Sequence, residues 1–175
     1  MTGSNEPRPA DRLIHDLIAR PRSATDQEIR LITERIAGAP FNTDIQRVQR
    51  DERGRTYQGV TLGAQADSLT LHLFRRVMED SQWAAGTTAD EYVQSLQRAA
   101  RTAHNRLVIY RHWRDRDLAA VIVPTTNVLA PEQIGAKAEP NLFVLYLANR
   151  GIIISGYQCS SMETIRIPGD ALWLR

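Results

Sequence analysis

The chain has 175 residues, of which 42% are hydrophobic and 24% charged, with a formal net charge of +2. That length suits one domain, or one domain with a small annex, and folding buries roughly 70% of the unfolded surface without staples. No apolar run approaches the ~20 residues of a membrane helix, and one cysteine, Cys159, excludes an intrachain disulfide and a cysteine-based metal cluster.

Residues 1–10 carry no apolar core and read as a disordered tail, not as a secretory leader. With the lone cysteine, this points to a cytoplasmic protein with no membrane partner. Of the 22 basic residues, Lys137 is the sole lysine. Guanidinium forks onto phosphate and carboxylate, which suits nucleic-acid contact. A GC-rich genome gives the same bias through its codons.

Asp11 to Ala19 predicts a short amphipathic helix with Leu13, Ile14, Leu17 and Ile18 on one face. Thr25-Asp26-Gln27-Glu28 is a capping box opening a second helix, striped by Ile29, Ile32 and Ile36 and stopped by Gly38 and Pro40. No basic recognition face follows, so a DNA-reading helix-turn-helix is disfavoured. Asp51-Glu52-Arg53-Gly54 is expected to turn the chain between strands Ile45 to Arg50 and Thr56 to Leu62. Asp67 or Ser68 caps a helix to about Gln82, with Leu69, Leu73, Phe74, Val77 and Met78 inside. Trp83 closes it. These elements make residues 11–83 a helical annex with a β-hairpin.

Thr88 and Glu91 form a second capping box. Tyr92, Leu96 and Ala99 or Ala100 make the inner face of that helix, Arg98 and Arg101 complement its dipole, and Asn105 terminates it. Arg106 to Trp113 alternates as a strand, and Arg114 to Asp117 is its turn. Leu118 to Val123 is apolar throughout, which places it centrally in a sheet. A loop follows. Asn141 to Ala148 and Gly151 to Tyr157 pair across Asn149-Arg150, and Leu172-Trp173-Leu174 docks on the body. Residues 84–175 thus read as a helix on a four-stranded antiparallel sheet, separate from the annex or continuous with it over 11–175. The fold class is α+β: an antiparallel sheet of four or more strands, helices packed on one face, and a helical N-terminal annex.

Catalytic signatures are few. The chain has no phosphate-cradling glycine loop, no dinucleotide pattern and no metalloprotease histidine pair, so no cofactor or metal is expected. Asp115 and Asp117 read as a solvated turn. Cys159 reads as a buried small hydrophobe more readily than as a nucleophile. His15 and His72 take surface or core-edge roles on helices, and His104 ends a helix. His112 is different, because Tyr110, Arg111, Trp113 and Arg114 surround it. A base, a phenol and guanidinium groups are the parts that cleave a phosphodiester without metal.

The order of one helix and four strands, ending in Gly151-Ile152-Ile153-Ile154-Ser155-Gly156-Tyr157, resembles the RelE, barnase and EndoU-like ribonuclease toxin fold over about residues 88–157. Ser155 and Tyr157 match that fold's terminal strand, and His112 and Arg111 match its active residues in type. Its catalytic lysines have no counterpart, since Lys137 lies in a loop. The resemblance implies a metal-independent, RNA-cleaving, toxin-like protein with His112, Arg111, Tyr157 and Arg150 as site residues. The partners would be RNA and an antitoxin or immunity protein. The competing reading is a non-catalytic module that contacts another protein through apolar edges and arginines.

Overall fold

The computed structural model describes residues 8–112, 115–161 and 166–175. Trp113, Arg114 and residues 1–7, which the sequence assigns to a strand end, a turn and a tail, lie outside them.

Helix α1 (Pro9–Ala19) starts with proline at its first position, where the missing amide costs nothing. Pro9 and Ala10 therefore belong to the helix and not to the expected tail. Ile14 and Leu17 are its buried residues toward the core. Helix α2 (Asp26–Ala37) carries the full capping box, with Thr25 and Glu28 bonding each other's amides at 3.1 and 3.0 Å. At helix α4 (Ala89–Arg101) only half of the expected box forms. Thr88 Oγ1 accepts from the Glu91 amide, while the Glu91 carboxylate bonds the Thr88 hydroxyl. Asn105 is not the left-handed residue after α4. That conformation falls on His104 (φ 60°), and the buried Asn105 amide instead donates to the carbonyls of Ala99 and Ala100.

The expected hairpin around residues 51–54 is replaced by two short antiparallel ladders. Strand β1 (Ile45–Arg47) pairs with β4 (Gln65–Asp67), and β2 (Thr56–Tyr57) pairs with β3 (Val60–Thr61). The reversal sits at Gln58-Gly59, both at positive φ, which matches the twist of a two-residue hairpin. Asp67 caps α3 (Ser68–Phe74), which continues as a π-helical turn over Arg75–Glu79. Leu73, Phe74 and Val77 are buried and Leu69 packs on the core, as expected, and the wider turn moves only Met78 off the stripe. Met78, expected inside, is 40% exposed, while Leu71 is fully buried.

Five antiparallel strands complete the fold: β5 (Arg106–His112), β6 (Arg116–Pro124), β7 (Asn141–Leu147), β8 (Ile152–Cys159) and β9 (Leu172–Trp173), in the order β8-β7-β6-β5-β9. The apolar β6 is the middle strand. The C-terminal Leu172-Trp173 does more than dock, since it pairs with Val108 and Ile109 as a fifth strand. One face of the sheet shares a core with α1, α2 and α4, so the annex and the sheet are built on the same hydrophobic cluster. The other face gathers Val108, Tyr110, Leu118, Phe143 and Leu147, with Ile167 and Ala171 packed on it.

Edge strand β8 is sealed by side chains and a strap. The Gly156 carbonyl accepts from Tyr92 Oη (2.6 Å) and Arg76 Nε (3.0 Å), and Gln82 and Gln158 exchange bonds with each other's backbones. The segment Pro40 to Asn42 pairs with Ile153. Gly156 lets α4 approach this closely, because a Cβ there would stand 2.4 Å from Leu96 Cδ2.

Two predictions follow from this packing. Gly156→Ala should cost about 1–3 kcal/mol by overpacking and Leu96→Ala about 2–5 kcal/mol through a cavity. In chemical denaturation the double variant should lose less than the sum, since the shorter side chain makes room for the new methyl. The second concerns His72, whose ring lies 5.2 Å from Phe41. Burial first, then Arg76 and Arg75, hold its imidazole below the usual value, against a hydrogen bond to Ser68 that raises it. The unfolded chain therefore binds the proton more readily. Neutral His72 contributes stability that is present above an ordinary histidine pKa of ~6.5 and lost as pH falls below it. His72→Gln should flatten the drop in stability between about pH 7 and pH 5, read from denaturation curves at both ends.

Candidate acid–base site

The chemistry-bearing residues converge at one end of the sheet, where the β5–β6 and β7–β8 turns lie side by side under α1. Asp117 is the second residue of β6 and is 3% exposed. Its Oδ2 pairs with His15 Nδ1 at 2.7 Å and its Oδ1 with Arg111 Nε at 3.1 Å. Arg111 Nη2 also lies 3.4 Å from His15 Nδ1. With the Nδ1 proton donated to Asp117, that approach is two donors side by side on one carboxylate and not a third hydrogen bond. The His15 side chain is 57% exposed, and its Nε2 is the ring nitrogen left for a ligand. Asn149 fixes Asp117 from behind. Its Oδ1 accepts the Asp117 amide at 2.6 Å and its Nδ2 donates to the Asp115 carbonyl at 3.0 Å.

One helical turn before His15, Asp11 is buried on the same face of α1. Its Oδ1 accepts from Tyr146 Oη at 2.5 Å, and its Oδ2 accepts from Arg35 Nε and Nη2, both at 3.3 Å. Burial, and after it the Asp11 carboxylate, push the Tyr146 phenol far up, so it stays a hydrogen-bond donor. Between these two networks opens a cleft of about 400 Å³, lined by Asp11, Arg12, His15, Asp16, Asp117 and Asn149 beside Ala148.

The four residues expected from the sequence do not meet. Arg111 is in the site. His112 follows it on β5, so its side chain leaves on the opposite face of the sheet. Arg150, in the β7–β8 turn, clamps Asp44 with both terminal nitrogens, one at 3.0 Å, and holds that carboxyl below its usual range. Tyr157 packs against Phe143 with ring centroids 5.1 Å apart, under the Arg76 guanidinium at 5.5 Å. Burial, followed by Cys159, raises its phenol, and Arg76 works the other way. Register carries Tyr157 through Phe143 and Ile122 to Arg106, six positions before His112 on β5. At ~3.3 Å per residue that is roughly 20 Å from the turn end. Cys159 is buried, in keeping with its reading as a small hydrophobe.

Sequence reasoning missed His15 as a partner and Asp117 as a buried carboxylate. The signal was faint but present. Asp11 and His15 are spaced i,i+4 on a helix, and Asp117 keeps the two-residue alternation of Ala119, Val121 and Val123 toward the helices. Nothing local pairs residues 102 positions apart.

No family model matches the chain, and no curated protein or solved structure matches it. Among the described residues no helix is long and apolar enough to cross a membrane.

Removing Asp11 should be severe. Asp11→Ala leaves the Arg35 guanidinium, 16% exposed, without its carboxylate, and a broken buried pair typically costs about 3–5 kcal/mol. Tyr146→Phe removes only one hydrogen bond and should cost about 0.5–1.5 kcal/mol. Denaturant midpoints of the two variants check the order.

Proposed function

We propose that the chain is a metal-independent, RNA-cleaving, toxin-like protein whose acid–base group is His15. The observation that carries this reading is the histidine itself: held through Nδ1 by a buried carboxylate, open at Nε2, and set in a cleft beside two guanidinium groups. An imidazole oriented in that way can serve as a general base or acid. Asp117 fixes the tautomer and the orientation of the ring. It is a positioning residue.

In this reading His15 Nε2 takes the proton of an RNA 2′-hydroxyl. The freed oxygen bonds to phosphorus, the bond from phosphorus to the 5′-oxygen breaks, and that oxygen takes a proton from water. Arg111 and Arg12 face the negative charge that builds on the phosphorane. The imidazolium then returns its proton to solvent. Relative to the expectation from sequence, the base moves from His112 to His15, and Arg111 keeps its role. A cytoplasmic setting and an antitoxin or immunity partner belong to the same proposal.

The test is incubation of the purified protein with mixed RNA in chelator. Wild type should cut, His15→Ala should lose about 10²- to 10⁴-fold, and His112→Ala should stay near wild type. Asp117→Asn should fall with His15→Ala while keeping its fold. Intact RNA with wild type would sink the reading and put the protein-interaction module in its place. A dead His112→Ala beside an active His15→Ala would return the site to the other face of the sheet.

A further inference from the structure

The end of β1 and the turn that follows it carry three arginines, Arg47, Arg50 and Arg53. With Val48 and Gln49 they line a hollow of about 370 Å³, and no carboxylate is part of its wall. Among the described residues none of the three forms an ion pair. The acidic groups nearby in the chain are turned elsewhere. Glu52 is 3% exposed and accepts from Arg75 Nε and Nη2 at 2.9 and 3.0 Å. Asp44 is clamped by Arg150. Asp51 is exposed, lies outside the wall, and acts on Arg75 by its charge. The backbone that presents the arginines is pinned. Val48 is fully buried beside Leu62, Leu71 and Phe74. The Glu52 amide donates to the Gln49 carbonyl at 3.0 Å, and the Gly54 amide to the Leu62 carbonyl at 2.7 Å. Arg53 Nε donates to the Val48 carbonyl at 3.2 Å, which holds that guanidinium in place through one nitrogen.

Three like charges around one hollow favour an anion there, and forked guanidinium donors match the oxygens of a phosphoryl group. Charge selects the class of ligand. A single phosphate monoester brings about −1.5 to −2 charges, which leaves one of the three cations unmatched. Phosphoryl groups joined in a chain match all three within one compact ligand. The backbone phosphates of a nucleic-acid strand carry one charge each and are spread along it, so they suit a long basic stripe better than a single hollow. We propose that the Arg47, Arg50 and Arg53 hollow binds a chained phosphate, the di- or triphosphate group. No aromatic side chain lines it to stack on a base, so the phosphate chain is recognised and not what it is attached to. The hollow shares no residue with the His15 cleft. The inference therefore goes beyond the proposed function and does not depend on it.

The experiment is isothermal titration calorimetry of the full chain with inorganic tripolyphosphate, in low-salt buffer with chelator. Adenosine and uridine triphosphates are titrated in parallel. Wild type should bind tripolyphosphate at one site and the two nucleotides with equal affinity. Arg50→Gln should weaken binding about 10- to 150-fold, the loss of hydrogen bonds to a charged group. Arg50→Lys should recover only part of it, because an ammonium keeps the charge and loses the fork. Arg30→Gln removes the same charge elsewhere on the surface and should bind as wild type does. Arg47→Gln is the companion variant should Arg50→Gln disturb the turn, with circular dichroism reporting the fold of each. Four results overturn the inference: no binding of tripolyphosphate by wild type, an equal loss in Arg30→Gln, Arg50→Gln and Arg47→Gln variants that fold and bind as wild type does, or equal competition by 5′-hydroxyl RNA or by polyglutamate of matched charge. Affinity that follows the base, with one nucleotide bound and the other not, overturns it too.

Discussion

The position of α1 depends on one buried carboxylate. Asp11 sits at the first turn of the helix and receives Tyr146 from the end of β7 and Arg35 from the last turn of α2. A lone carboxylate in that place would be very costly to desolvate; three donated hydrogen bonds offset the cost. The network fixes α1 in rotation as well as in place, because Tyr146 fits only a carboxylate presented from one side. His15 follows one turn later on that same face and lands on Asp117. Gly151 completes the arrangement. It holds φ 66° in the β7–β8 turn, and a Cβ there would stand 2.1 Å from Arg35 Nη2. The glycine thus serves the turn and the guanidinium together.

The second constraint is the open edge of β8. An unpaired strand edge invites another chain to add to it. Here the edge is closed by groups from four places: the Phe41 strap, the π-turn through Arg76, Gln82 beyond it, and Tyr92 of α4. The π-turn aims Arg76 at the Gly156 carbonyl and at Asp80. It also exposes Met78, so the irregular helix gains an edge seal at the expense of a regular apolar stripe. The same residues bury Trp83 against Tyr92, with ring centroids 5.0 Å apart and the indole nitrogen donating to Ser95.

The parts of this fold legible in the sequence were those governed by neighbours along the chain. Thr25 with Glu28 announced α2, the unbroken run from Leu118 to Val123 announced an inner strand, and Tyr92, Leu96 and Ala99 announced the face of α4 that meets the sheet. Elements decided by distant contacts were misplaced. The turn near residue 54 moved to Gln58-Gly59 because β1 chose β4 as its partner. Met78 fell off the buried stripe at the π-turn, which answers to β8. The candidate site divided along the same line. Arg111 and His112 are adjacent in sequence, and adjacency in a strand means opposite faces. Proximity along the chain therefore argued against a shared site. Of the true neighbours of Arg111, Asp117 comes from its register partner position on β6, and His15 is brought in by the Asp11 network.

Arginine composition takes on a different meaning once its positions are known. Arg35, Arg75, Arg76 and Arg111 work on buried or partly buried carboxylates and Arg150 on a surface one, several of them through two nitrogens at once. Lysine offers a single point of charge and would not hold those forks. Such positions need guanidinium for structural reasons, whatever the codon bias. Arg30, Arg101 and Arg106 differ: they stand on the surface at one end, and one of them lies on an exposed indole. The molecule therefore divides its arginines by task, with the forks that set its geometry clustered around α1 and the π-turn. Other arginines face solvent elsewhere, among them Arg12, Arg20, Arg47, Arg50 and Arg116.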